Sequence, residues 1–204
     1  LYGRRTNDAL AHALAYLASK KSRVNIGLAV HDNGFALIYP PGVDVDVSLR
    51  DIRPEELDDY LKKSIFHTEL MKRRFRHVAT RGLMILRNYK GHEISVEKQQ
   101  LSAGTLLQVI KKWEDFPILK ETYREILEDY MDVQHAREIL EKIHNNEIEI
   151  VDAGLLDTPT PFAYNIVLEG LSDIVLMEDK RTLIAKFHEE LMKRIKKATL
   201  QVST

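Results

Sequence analysis

The stretch that decides the fold of this chain is residues 66–87, which read FHTELMKRRFRHVATRGLMILR. Placed on a helical wheel at about 100° per residue, it separates an apolar side from a basic side. The apolar side holds Met71, Phe75, Val78, Ala79, Gly82, Ile85 and Leu86. The opposite side holds Arg73, Arg76, His77, Thr80, Arg81 and Arg87, with Arg74 at its margin. We therefore predict a helix that packs its apolar side into the core and turns its basic side outward.

The ends of this helix and its neighbours follow from capping residues and breaks in the pattern. Ser64 is predicted to begin the element, because a serine hydroxyl accepts hydrogen bonds from the free amides of a first turn. The element is expected to reach about Arg87, and residues 88–92 to interrupt it. Further helices are predicted over residues 97–112, 117–130, 133–144 with Asp132 as cap, and 178–197. The chain beyond residue 64 is therefore mainly helical.

The first 63 residues combine a helix with strands. A helix capped by Thr6 or Asn7 is predicted to extend to about Ser19, since apolar residues recur there at helical spacing. Residues 24–39 surround the turn sequence Asp-Asn-Gly and predict a β-hairpin. The strict alternation of Val and Asp over residues 43–47 predicts a third strand.

These patterns together predict an α+β fold. A small antiparallel sheet, formed by the hairpin and one or two further strands, is expected to pack with a predominantly helical remainder. One further strand is predicted to return to the sheet at residues 147–151. Residues 157–163 contain two prolines and are predicted to be a fixed connector. We expect residues 1–63 and 64–204 to form one compact unit.

Composition places the chain among globular proteins. Hydrophobic residues make up 44% and charged residues 30% of its 204 residues, and it contains no Cys. The absence of Cys excludes disulfides, thiolate metal sites and cysteine nucleophiles. No apolar run approaches the roughly 20 residues that span a bilayer, so we expect no membrane contact and a cytoplasmic location. The chain begins without Met, and we expect it to be a fragment of a longer protein.

Charge is segregated along the chain although the formal net charge is only −1. Basic residues concentrate at residues 72–90 and 180–197, and acidic residues dominate 114–150. A basic helix face suits a phosphate backbone, because Arg and Lys replace its condensed counterions. The alternative is a face that is simply solvated or that pairs with the acidic helices at residues 121–141.

Motifs for catalysis and for metal or nucleotide binding are missing from the sequence. It has no Gly-x-x-x-x-Gly-Lys-Ser/Thr loop, no Gly-x-Gly-x-x-Gly after a strand and no His-Glu-x-x-His. Asp44, Asp46 and Asp51 could gather around a hard cation, but a solvated strand face explains the alternation without any cation and is the interpretation that we favour. We therefore expect no catalytic residue, no metal and no cofactor within this segment.

Two polar or aromatic features near the basic helix offer weaker signals. Trp113 follows two lysines and could stack on a base, as aromatic residues do in channels for single strands. The alternative interpretation is that the Trp113 side chain is buried at a helix end. The amides of Gln99 and Gln100 could face base edges, or could simply be exposed.

Several stretches resemble a known family when they are taken in order. Residues 75–86 (FRHVATRGLMIL) and 157–163 (DTPTPFA) resemble signatures of the Lhr-type, or large helicase-related, superfamily 2 helicases. Residues 3–10, 121–125 and 176–179 fit the same resemblance, which runs through most of the chain. Thr160 stands where that family commonly has Ser between the two prolines, a change that preserves the turn chemistry. The segment that it resembles is the helicase-associated, or DEAD/DEAH-associated, domain.

The resemblance implies an accessory domain of an ATP-dependent 3′-to-5′ helicase. Such a domain would form part of a positively charged channel for the tracking strand, with single-stranded DNA or an RNA–DNA duplex as partner. RecA-like and winged-helix domains of the same polypeptide would be its other partners, and ATP and Mg would belong to that motor. The predicted nucleic-acid-binding residues are Arg73, Arg74, Arg76, His77, Thr80, Arg81, Arg87 and Trp113. The alternative function is a protein-interaction or structural brace without direct nucleic-acid contact.

Overall fold

Helices dominate the part of the chain that the computed structural model describes, residues 2–170 with 188–189, 192–193 and 195–196. The helices are α1 (Arg4–Ser22), α2 (Leu57–Ile65), α3 (Glu69–Arg81), α4 (Val96–Ile110), α5 (Pro117–Arg124), α6 (Val133–His144) and α7 (Tyr164–Gly170). The strands are β1 (Gly27–His31), β2 (Gly34–Ile38), β3 (Asn88–Tyr89) and β4 (His92–Glu93). Short 3-10 turns at Leu49–Asp51 and Pro54–Glu56 precede α2, and a π-helical segment, Glu125–Tyr130, continues α5. The predicted α+β fold class is therefore confirmed.

One hydrophobic cluster holds α1 to α6 together. α1 is buried along most of its length and packs against α2, α6 and the first hairpin. The side chains that are fully buried in this cluster include Phe75, Ile52, Leu57, Leu61, Ile65, Met71, Ile126, Met131 and Leu140. The predicted boundary at residue 63 falls inside α2, and the division of the chain into two parts stays a prediction.

The predicted β-hairpin is confirmed as β1 and β2. The two strands are antiparallel, with Gly27 opposite Ile38 and His31 opposite Gly34, so Asp32 and Asn33 form a two-residue turn. Both α1 and α7 pack against this hairpin. A Cβ added at Gly34 would lie 3.2 Å from Cδ1 of Ile166 in α7, so glycine allows the close approach of that helix.

The predicted capping role of Thr6 or Asn7 is wrong. α1 begins one turn earlier, with Gly3 as its N-cap and with no side-chain capping hydrogen bond. Asn7 is buried instead, and its Nδ2 donates to the carbonyl oxygens of His31 at 2.9 Å and Asp32 at 3.0 Å. Asn7 therefore ties α1 to the turn of the β1–β2 hairpin.

The strand predicted at residues 43–47 is not formed. The three valines are half-buried and the two aspartates exposed, so the alternation is real, but the segment has no partner strand. The backbone carbonyl of Asp46 accepts instead from Lys21 Nζ at 3.1 Å. Lys21 also pairs with Asp51 at 3.0 Å, and this hydrogen bond lowers the pKa of Asp51. Alternation here reflects one-sided packing of an extended segment.

The returning strand predicted at residues 147–151 is also wrong. The amides of Glu147 and Ile148 donate to the carbonyl of Lys142, at 2.8 and 3.2 Å, and so close the end of α6. Val151 is 77% exposed and lies in a segment without regular structure. These two amides are therefore bonded to the end of α6 and are not available to pair with another strand.

The long helix predicted from Ser64 to Arg87 is two helices. Ser64 lies inside α2, where its hydroxyl donates to the Leu61 carbonyl at 2.9 Å. Thr68 caps α3 instead, since its Oγ1 accepts from the Met71 amide at 3.2 Å. α3 ends at Arg81. Two residues further along, Leu83 has a φ of 58°, which lies outside the α-helical region.

The other helical predictions agree with the structure where it describes the chain. The one or two helices predicted over residues 97–112 are the single helix α4, which ends at Ile110, and Asp132 caps α6 by accepting from the His135 amide at 3.2 Å. Residues 157–163 form no regular helix, as predicted. The helix predicted over residues 178–197 lies mostly outside the described residues. Of the helices described, none has the length and apolar character needed to span a membrane.

Replacing Asn7 tests the tie between α1 and the hairpin. Asn7→Ala should lower the free energy of unfolding by about 1 to 2 kcal/mol, because two turn carbonyls lose their donor. Asn7→Asp should cost more, because a carboxylate would face two acceptors in a buried place. Urea unfolding, monitored by circular dichroism, measures the free energy of unfolding of both variants. The exposed Asn145→Ala serves as control and should stay within about 0.5 kcal/mol of the parent; an equal effect of all three would contradict the role given to Asn7.

Candidate nucleic-acid interface

The apolar side of α3 packs against α4 and α5, as the helical wheel predicts. Met71, Phe75 and Ala79 are fully buried and Val78 is 3% exposed. Ile85 is buried as well, although it follows the end of the helix, whereas Leu86 is 45% exposed. The chain turns away after Arg81, so the wheel no longer describes the positions beyond it.

Two arginines of α3 hold a buried carboxylate on the neighbouring π-helical segment. Glu125 has a side chain that is only 5% exposed, and its Oε2 lies 3.6 Å from Nη1 of Arg74. Its Oε1 accepts a hydrogen bond from Nη2 of Arg81. Arg74 and Arg81 stand seven positions apart and so lie within about 20° of each other on the helix. Intramolecular pairing, one of the alternatives for the basic face, therefore holds for these two residues.

Arg73 and Arg76 lie on a different side of α3 and have no carboxylate partner among the residues that the structure describes. Arg73 is exposed and Arg76 half-buried. Within the described part of the chain, no Asp or Glu oxygen comes within ion-pair distance of either guanidinium. Two acidic residues in and before α5 are matched by other cations. Arg124 pairs with Glu121 at 2.8 Å, and Lys120 pairs with Asp115 at 2.7 Å.

The two unpaired arginines line a groove between α3 and α4. The groove has a volume of about 400 Å³. It is lined by Glu69, Leu70, Lys72, Arg73 and Arg76 of α3, by Gln100, Ala103, Gly104 and Leu107 of α4, and by Tyr130. The side of α3 that carries the unpaired arginines is thus a concave surface, which we call the α3–α4 groove.

The positive charge around α3 is visible in the pKa of His77. Desolvation lowers the pKa of this imidazole below its usual value, and the charges of Arg76, Arg74, Arg87 and Arg73 lower it further. A cationic imidazole is disfavoured where four guanidinium groups already raise the local potential. His77 therefore stays neutral to lower pH than an ordinary histidine, and the surface around it attracts anions.

The remaining predicted site residues are spread around this surface. Thr80 donates its hydroxyl hydrogen to the Arg76 carbonyl at 2.7 Å. Arg87 is exposed at the start of the β3–β4 hairpin, where its carbonyl accepts from the Ile94 amide at 2.7 Å. Trp113 is 56% exposed just beyond α4, so its predicted alternative of burial is wrong. It does not line the α3–α4 groove.

Of the ten residues that line the groove, only Arg73 and Arg76 were predicted from the sequence, and Lys72, Gln100 and Tyr130 are among the eight that were not. Lys72 belongs to the same basic run as Arg73, but it pairs with Glu69 at 2.6 Å on the exposed surface. Gln100 was indicated only by a general preference of amides for base edges. Tyr130 carries no sequence signal, because only the fold of the π-helical segment brings it beside α4.

The comparisons with known proteins agree on the class of domain. A family model described as DEAD/H associated matches residues 1–163, and the chain belongs to that family. The resemblance of the sequence to the associated domain of Lhr-type helicases is thereby confirmed.

The curated relatives carry helicase names. The chain is 50% identical over 200 residues to the ATP-dependent helicase Lhr-Core protein 2 of Thermococcus barophilus, covering 96% of this chain and 23% of that protein. It is 42% identical to the ATP-dependent helicase Lhr-Core of Sulfolobus acidocaldarius, covering 99% of this chain and 23% of that protein. The chain therefore spans about a quarter of the length of these relatives.

A solved structure shares the fold. It is the structure of Mycobacterium smegmatis helicase Lhr bound to ssDNA and AMP-PNP, with a TM-score of 0.66 and 28% sequence identity. The similarity covers 80% of this chain and 21% of that one.

Removing the arginine partners of Glu125 should destabilise the fold. We expect Arg74→Ala with Arg81→Ala to lower the free energy of unfolding by roughly 3 kcal/mol, because it leaves a buried carboxylate without a partner. Adding Glu125→Leu to the double variant should restore most of the loss. Chemical unfolding measures all three proteins, and Arg73→Ala with Arg76→Ala, which removes equal charge, should change stability by less than about 1 kcal/mol. A triple variant no more stable than the double would show that the buried charge is not the cause.

The pKa of His77 reports the charge on α3. Arg73→Ala with Arg76→Ala should raise this pKa, because two of the charges that disfavour protonation are gone. It should stay below the usual histidine value, since desolvation persists. NMR titration of the imidazole protons measures it, with the signal assigned from a His77→Gln spectrum. An unchanged pKa would mean that the guanidinium groups do not act on His77.

Proposed function

We propose that this chain is the accessory domain of an ATP-dependent nucleic-acid helicase and that its α3 surface forms part of a positively charged channel for the tracking single strand. The residues that we assign to this surface are Arg73, Arg76, His77, Thr80 and Arg87, with Arg74 and Arg81 at its paired edge and Trp113 beyond α4. Single-stranded DNA or an RNA–DNA duplex is the proposed partner.

The observation that carries this proposal is the division of the arginines on α3. Arg74 and Arg81 are matched by the buried Glu125, whereas Arg73 and Arg76 face a groove and lack carboxylate partners among the described residues. Unpaired guanidinium groups on a rigid helix suit phosphates, because little conformational freedom is lost when they bind. The family membership and a related helicase solved with ssDNA support a nucleic-acid partner.

The rest of the reaction belongs to other parts of the proposed parent protein. RecA-like domains would bind ATP and Mg and drive 3′-to-5′ translocation, and a winged-helix domain would complete the channel. The two curated relatives named above are each about four times as long as this chain, which leaves room for such domains. In this arrangement the present domain supplies a fixed wall against which the motor moves the strand.

A structural brace is the second candidate function. The pairing of Arg74 and Arg81 with Glu125 favours it, because part of the basic face serves internal packing. A pure brace would need no strand contact at Arg73 or Arg76. The two candidates therefore make opposite predictions for those two residues.

Arg73→Ala with Arg76→Ala in the full-length helicase decides between them. Each lost phosphate contact removes about 0.7 from the slope of log affinity against log salt, so the slope should flatten by about 1.4. Affinity for a single-stranded oligonucleotide should fall about ten-fold near physiological salt. Fluorescence anisotropy over a series of salt concentrations measures both quantities.

Lys20→Ala with Arg23→Ala provides a matched control. Both residues are exposed near the end of α1, and their loss removes the same two positive charges from another part of the domain. This variant should keep the parent slope and affinity. A groove variant that binds like this control would refute the strand contact and leave the brace.

A further inference from the structure

The α3–α4 groove has an apolar floor beneath its basic rim. Ala103 and Leu107 are 4% and 3% exposed and form part of its inner surface. Arg73 and Arg76 line the same groove from α3. Glu69 is the one carboxylate among the described residues that line the groove, and it is paired with Lys72. A ligand therefore meets apolar surface inside and positive charge around it.

Gly104 keeps the groove open. It lies in the interior of α4, where glycine is less favourable than alanine because the unfolded chain has more freedom. A Cβ added there would meet no heavy atom within 4 Å. The space beside Gly104 is therefore room for a ligand, not a place where two backbones approach each other.

An aromatic ring and an amide complete the lining. Tyr130 is 38% exposed and Gln100 is exposed, and both border the groove. A tyrosine ring gives a flat face on which any base can stack, and the glutamine amide offers both a donor and an acceptor. Phosphate recognition alone would need neither group.

We propose that this groove holds one nucleotide of the single strand, with its phosphate at Arg73 and Arg76 and its base against Tyr130 over the floor of Ala103 and Leu107. The volume of about 400 Å³ lies within the range of small-molecule pockets, roughly 300 to 1,000 Å³. The inference rests on the proposed function and goes beyond it, because it requires a base as well as a phosphate.

A base in this groove must be unstacked and unpaired. Bases that stack on aromatic side chains come from single strands, whereas those of a duplex are covered by their neighbours. The groove therefore selects a splayed nucleotide of the tracking strand. Stacking tolerates all four bases, so no sequence preference is expected from Tyr130.

A single abasic nucleotide, moved stepwise along a 16-mer, tests the groove in the full-length helicase. A non-hydrolysable ATP analogue fixes the position of the strand during the measurement. The parent protein should lose about five-fold in affinity when the abasic nucleotide occupies the groove, which is the low end expected for one stacked base. Tyr130→Ala and Gly104→Leu should abolish the penalty at that one position and leave the others unchanged.

Two variants serve as matched controls. Tyr89→Ala removes an exposed tyrosine that lies on the β3–β4 hairpin and does not line the groove. Thr105→Leu adds the same side chain at an exposed position of α4 next to Gly104. Both should keep the full pattern of abasic penalties. Gly104→Leu should also fold at least as stably as the parent, since leucine favours a helix more than glycine does.

The failures of the two proposals differ. If Tyr130→Ala and Gly104→Leu keep every abasic penalty while Arg73→Ala with Arg76→Ala weakens binding, the groove binds no base and the phosphate wall remains. If the arginine variant also binds normally, the proposed function fails with it. Free nucleoside monophosphate is the other source of the same chemistry. If the protein binds nucleoside monophosphate saturably, if Gly104→Leu abolishes that binding, and if no abasic position weakens strand binding, then the groove holds a free nucleotide. That result would contradict the proposal that the groove holds a nucleotide of the strand.

Discussion

The ion pairs of Glu125 with Arg74 and Arg81 fix the rotation of α3 about its own axis. Glu125 is buried, and a buried carboxylate must be matched by cations and hydrogen bonds. Both arginines come from one side of the helix, so α3 cannot turn without breaking the pairing. On the next side lie Met71, Phe75 and Ala79, which are fully buried. The remaining side, with Arg73 and Arg76, must then face α4 and solvent.

This constraint explains how one basic helix combines two tasks. Charge that is matched inside the protein stabilises the packing of α3 on the π-helical segment, and charge that is left unmatched remains available to a partner. Arg73 and Arg76 lie on a helix that packs against α4 and contributes side chains to the hydrophobic cluster, so their positions are fixed by the core. Prearranged cations bind a flexible strand with less loss of conformational freedom than mobile loops would. The chain belongs to the DEAD/H associated family and its curated relatives are named helicases, which is the setting in which we propose that this surface acts.

Much of the fold could be predicted, because it depends on local rules. The period of apolar residues identified the buried side of α3, Asp-Asn-Gly identified the hairpin turn, and Asp132 was recognised as a cap. Some errors occurred where a distant group took the hydrogen bonds, whereas the strand predicted at residues 147–151 was lost to the nearby carbonyl of Lys142. Lys21 binds the carbonyl of Asp46 in the expected strand. The candidate site was only partly predicted for the same reason: Glu125 is 44 residues from Arg81, and no local pattern pairs them or brings Tyr130 to α4.

We propose that the strand runs along the groove side of α3 and not along the side that pairs with Glu125. A photocrosslinking amino acid at Gln100 of α4, in the full-length helicase with labelled single-stranded DNA, tests it while leaving every arginine in place. The same group at Glu121, a half-buried residue of α5 that pairs with Arg124 and does not line the groove, provides the comparison. We expect a crosslink from position 100 and little or none from position 121. Equal yields, or a crosslink from position 121 alone, would contradict it.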